Sequence, residues 1–191
     1  MENIIILLLL ILGPLVLAFI FSFIKVSVFH IKEGERGVLI KNYTSVKIYS
    51  PGWVIMNPFA GKTDVVKINE QKFSFTMGEG FSERFFITYI ISDVEEAVKA
   101  GAKYVVFLLE RSKMSTREKN QILATGKFDP IMVLIEDLIK YFVMVSYVSN
   151  KRNYDEKQIG SIDELSVICW EKVKHILMEK GIDILDFQIQ Q

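Results

Sequence analysis

Read from its N-terminus, the chain shows three hydrophobic patterns in succession: a continuous apolar run, short alternating runs, and stripes with helical spacing. From Ile4 to Ile24, 21 residues carry no charge and are mostly Ile, Leu, Val or Phe. At 1.5 Å rise per residue a helix of this length covers roughly 30 Å, the thickness of bilayer hydrocarbon. The run predicts an N-terminal membrane anchor over residues 1–25, marked by Ile4, Leu10, Gly13, Pro14, Phe19 and Ile24. A cleaved signal peptide would need a positive leader, a shorter apolar stretch and small residues at its end. Here Met1, Glu2 and Asn3 precede the run, and Phe19, Phe21 and Phe23 close it. Gly13 and Pro14 leave two geometries open, a kinked span or a re-entrant wedge, because proline removes a helical hydrogen bond and crowds the preceding turn. Lys25, Lys32, Arg36 and Lys41 follow the run and no Lys or Arg precedes it, which predicts a domain on the cytoplasmic side.

Beyond Lys25 the apolar residues alternate over Val26 to Ile31, Gly37 to Lys41, Val46 to Tyr49, Trp53 to Met56, Asp64 to Ile68, Phe73 to Met77 and Arg84 to Ile91. These runs predict strands. Gly34, Pro51 with Gly52, Asn57 with Pro58, and Gly61 lie in the breaks, so the expected arrangement is an antiparallel meander with short turns. Ser92 and Glu95 have capping-box spacing, and Gly101 is placed to end a helix of two turns. Arg111 to Gly126 reads as an exposed helix or loop. Asp129 as N-cap and Pro130 as first helical residue open an apolar helix to Val148, whose charged strip of Glu136, Asp137 and Lys140 argues for docking on the sheet rather than crossing a bilayer. Lys151 to Gln158 reads as a surface loop. Ser161 and Glu164 cap a helix with the stripe Ile162, Leu165, Ile168, Cys169, Val173, Ile176 and Leu177, and Ile182 to Ile189 closes the chain as a strand. The fold class expected is therefore α+β, an N-terminal membrane helix followed by a mostly antiparallel sheet packed by helices.

Composition narrows the function. Lys plus Arg and Asp plus Glu number 23 each, so no global positive field is present to hold nucleic acid. Mean hydropathy is +0.28, high for a soluble domain, and the apolar leader accounts for much of it. The single cysteine, Cys169, cannot form an internal disulfide or a cysteine-based metal cluster.

A search for reaction chemistry finds little. Only His30 and His175 are available as imidazole bases, the first just past the leader and the second near a helix C-terminus, where a cation favours the carbonyl end. Cys169 lies on an apolar helical stripe and reads as core. Gly78 and Gly80 lack the GKS or GKT ending of a phosphate loop and read as a hairpin turn. Asp183 and Asp186, three apart on a strand, are expected on opposite faces, too far apart to share a metal. No catalytic, cofactor or metal site is expected, and the chain is not expected to be an enzyme. Trp53, Pro58 and Phe59 have a second reading besides core packing. In a domain tethered directly after a span, aromatic rings can dip into the headgroup zone as a second membrane contact.

The order of these pieces resembles the SPFH or band-7 family, which includes stomatins, prohibitins and flotillins. The likeness is carried by Glu33 to Ile40 (EGERGVLI), Ser50 to Phe59 (SPGWVIMNPF), Thr88 to Ala97 (TYIISDVEEA) and Lys180 to Ile189 (KGIDILDFQI). The resemblance implies an SPFH-type domain over residues 26–191, in a short member lacking the family's long C-terminal coiled coil. It also implies a membrane-anchored scaffold that self-associates, forms homo-oligomers, and organises or regulates membrane proteins such as proteases or channels and local lipid. Residues 102–150 match the family weakly. Two alternatives remain: a single-span accessory subunit that binds one membrane protein through that region without forming arrays, and a small membrane-bound hydrolase using His30 or His175.

Overall fold

A computed structural model describes residues 2–41, 45–57, 60–78, 82–125, 130–156 and 159–190, with the side chains of 2–11, 25–26 and 123–125 outside that description. The order is α1 (Glu2–Ser27), β1 (Val28–Ile31), β2 (Glu35–Lys41), β3 (Ser45–Tyr49), β4 (Gly52–Ile55), β5 (Lys62–Lys67), β6 (Gln71–Thr76), β7 (Arg84–Ile91), α2 (Val94–Arg111), α3 (Thr116–Thr125), α4 (Ile131–Asp155), α5 (Ile162–Met178) and β8 (Ile182–Gln190). The fold is α+β with antiparallel sheets.

The strands do not form one meander. They make three small sheets, β1–β4, β3–β2–β5 and β6–β7–β8. Strand β1 pairs past its neighbours with β4, and β5 returns to the free side of β2. Local alternation predicts strands well but carries no information on which strand each will pair with.

The main core lies between β7 and the helices. On β7 the alternation is complete: Phe85, Ile87, Tyr89 and Ile91 are buried, and the facing residues of β8 are Ile189, Phe187, Ile184 and Ile182. Helix α4 covers this layer with Ile131, Leu134, Ile135, Leu138, Ile139, Val143 and Tyr147, spaced three and four apart. A smaller cluster sits apart, where Ile31 and Met56 bury themselves against Gly37 of β2. A Cβ on Gly37 would stand 2.5 Å from Ile31 Cδ1, so glycine here lets the Ile31 side chain lie directly on β2.

Four local expectations are corrected. Gly101 does not end a short helix; it lies buried inside the 18-residue α2, where a Cβ would come 3.2 Å from Ile131 Cδ1, and its lack of a side chain lets α2 approach α4. The cap of α2 is Asp93, whose carboxylate accepts from the Glu96 N–H, one residue later than the Ser92 and Glu95 pair. Asp129 lies outside the described residues, and Pro130 takes the cap position of α4. The cap hydrogen bond comes from another element: the Ile131 N–H donates to Asp64 Oδ2 of β5 at 2.7 Å. Helix α4 continues through Lys151 to Asp155 in place of the expected loop. The Ser161 cap is as expected, accepting from the Glu164 N–H at 3.1 Å.

Candidate membrane-facing surface

The site starts with α1. The described side chains on it, from Leu12 to Ile24, are exposed on every side: Leu15, Val16 and Leu17 are consecutive, as are Phe19, Ile20 and Phe21, and Phe21 is 75% exposed. A helix apolar around its whole circumference needs an apolar surrounding that the rest of this domain does not supply. The helix runs unbroken through Gly13 and Pro14. Among the described residues no helix is long and apolar enough to cross a membrane. The side chains described on α1 cover only about two-thirds of the hydrocarbon thickness.

Strand β1 begins where α1 ends, and β4 is tied to the same point, because the Met56 N–H donates to the Ser27 carbonyl at 2.8 Å. In the β1–β4 register Val28 faces Ile55 and His30 faces Trp53. Alternation puts these four residues on one side, opposite the side that packs Ile31 against β2. Trp53 is 76% exposed and Ile55 74%, and the His30 ring leans on the Trp53 indole at 4.9 Å between centroids. Trp53 is therefore not a core residue. Pro58 and Phe59, the other two proposed contacts, lie outside the described residues. Ile55 and the His30–Trp53 pair were not expected from the sequence; the two-residue spacing of Trp53 and Ile55 was the available signal for the first, and the pairing of β1 with β4 reveals the second.

Apart from His30, the residues considered for chemistry fall elsewhere. Cys169 is buried, and that burial pushes its thiol above the ordinary value. His175 is in the last turn of α5. Gly78, two residues past β6, has φ +105°, consistent with a turn, and Gly80 lies outside the described residues. Asp183 and Asp186 share a face, contrary to expectation: a bulge between Thr88 and Tyr89 leaves Leu185 as an extra residue on β8 and shifts the alternation by one. Among the described residues no group of three His, Cys, Asp or Glu side chains is placed to hold a metal ion.

One polar cluster was invisible in the sequence. Glu83, just before β7, is 3% exposed, and its Oε1 accepts from Tyr147 Oη at 2.6 Å and Lys151 Nζ at 2.8 Å, both on α4. Burial pushes this carboxyl up, but the bonds from Lys151 and Tyr147 outweigh it and hold it below the usual value. Burial and the Glu83 bond push the Tyr147 phenol up to about 12. The hydrogen bond from Lys151 to Glu83 raises the ammonium above its ordinary value. The cluster fastens β7 to α4.

No family model matches the chain, and no curated protein matches it.

Proposed function

We propose that the chain is a membrane-anchored, non-enzymatic scaffold of the SPFH type, which self-associates on the bilayer and organises or regulates membrane proteins and local lipid. The observation that carries the reading is the exposed pair Trp53 and Ile55 on a strand hydrogen-bonded to the end of α1. In this reading the uncharged run Ile4 to Ile24 forms the span, Lys25 and the residues after it stay on the cytoplasmic side, and the β1–β4 face rests in the headgroup zone. The domain is then confined to two dimensions in a fixed attitude. Weak lateral contacts act there at high effective concentration.

A second reading, an accessory subunit that binds one membrane protein without forming arrays, draws on the half-exposed aromatic patch of Tyr104, Phe107 and Tyr141, whose ring centroids lie 5.6–6.1 Å apart. Counting photobleaching steps of the labelled full chain in a supported bilayer separates the two. Spots that bleach in several steps at low surface density support the scaffold, and single steps throughout overturn it in favour of the accessory subunit.

A further inference from the structure

The outward face of α5 carries a pattern that its inward face does not require. Leu165, Cys169, Val173 and Leu177 point into the core. On the opposite side Val167 and Met178 are 50% and 51% exposed, and Glu171 and Lys174 are exposed between them. The spacing from Val167 to Glu171, Lys174 and Met178 is four, three and four, which keeps all four on one stripe of an α-helix. A shallow groove of about 380 Å³ lies on this stripe, lined by Trp170, Glu171, Lys174, His175 and Met178. Lys174 holds its ammonium over the Trp170 ring at 4.9 Å. Among the described residues Glu171 has no ion-pair partner.

The order of these residues, apolar, acidic, basic, apolar, is complementary to its own reverse. Two copies of α5 laid antiparallel place Val167 against the second copy's Met178, and Glu171 against the second copy's Lys174. The two-fold axis repeats each pairing. Like-with-like pairing in a parallel arrangement would instead set Glu171 against Glu171 and Lys174 against Lys174. An isologous contact requires a surface that matches itself in this way.

We propose that the outward face of α5 is the self-association surface, and that its occupant is α5 of a second copy, antiparallel, registered by two Glu171–Lys174 pairs. The inference rests on the scaffold reading in one respect. A 17-residue helix is about 25 Å long, and such a stripe buries on the order of 400 Å² per copy, half of what a stable interface in solution needs. The contact forms where chains are tethered together in a bilayer and is weak in dilute solution.

The test is energy transfer between donor- and acceptor-labelled full chains in phosphatidylcholine vesicles at a fixed protein-to-lipid ratio. Glu171→Lys and Lys174→Glu are expected each to lower apparent association by about tenfold, because each sets like charges opposite one another at two places. The double variant E171K/K174E is expected to restore association to within about twofold. Mixing E171K with K174E chains is also expected to restore it, because every pair across the axis is then opposite in charge. Association of the unaltered chain that ignores both single reversals, or that neither the double variant nor the mixture restores, overturns the α5 contact and leaves the scaffold reading standing. Transfer at the random level for the unaltered chain overturns both.

Discussion

Strands β7 and β4 carry the same alternating pattern and use it in opposite ways. On β7 the apolar set Phe85, Ile87, Tyr89 and Ile91 is buried under α4, while on β4 the apolar set Trp53 and Ile55 stands about three-quarters exposed. Burying each of these β4 side chains would stabilise the fold by roughly 2 kcal/mol. The domain leaves that stabilisation unused at the one place next to an apolar helix that also lacks cover. The difference teaches that alternation specifies a face and not the medium it faces. The medium follows from neighbouring elements, helices for β7 and the end of α1 for β4.

The contrast can be broken by substitution, most strongly on the β7 side. Ile87→Ala removes a fully enclosed side chain and is expected to cost about 3 kcal/mol of stability, read as a shift in the denaturant midpoint in mild detergent. Glu83→Gln removes the charge that Lys151 and Tyr147 are placed to meet, and is expected to cost about 2 kcal/mol by the same measurement.

That variant also has a pH signature. The Glu83 carboxyl is held below 4.5 in the fold, so its contribution is complete above that value and is lost as pH falls through the depressed one. Lys151 has the opposite sign, contributing fully below 10.5 and losing its share as pH rises through its raised value. The acid limb of the stability profile is expected to flatten in E83Q, and an unchanged limb would remove Glu83 from the account.

Ser161→Ala deletes the cap of α5 and is expected to cost about 1 kcal/mol in the denaturant midpoint. Trp53→Ser with Ile55→Ser completes the comparison with the smallest effect on folding. Stability is expected to change by no more than about 0.5 kcal/mol, whereas labelling of the domain by a headgroup-borne photoreactive lipid falls sharply.

How much of this was legible follows from the range of each signal. The strands, the Ser161 cap and the α5 stripe depend on neighbours a few residues apart, and spacing alone located them, except that Ile176, counted in the stripe, stands exposed. Gly101 misled because glycine ends helices more often than it lets two of them approach closely, and only the position of Ile131 distinguishes the two uses. The side-chain cap of α4 was missed because Asp64 lies 67 residues from Ile131. The Glu83 cluster was missed because Glu83 and Tyr147 are 64 residues apart and each reads locally as an ordinary surface or core residue. Asp183 and Asp186 were assigned to opposite faces because a bulge is set by strand pairing and leaves no local mark. On the exposed β1–β4 face, Trp53 stood out in the sequence by its position after the leader, and Ile55 joins it on that face through the pairing of β1 with β4.

The central claim is that Trp53 sits in lipid. The chain has two tryptophans, so Trp170→Phe leaves Trp53 as the sole indole emitter. With this variant reconstituted in vesicles whose acyl chains are brominated close to the headgroup, the account predicts strong quenching of Trp53 and little quenching by aqueous iodide. Emission that bromine leaves untouched and iodide quenches freely would place the β1–β4 face in water and contradict it.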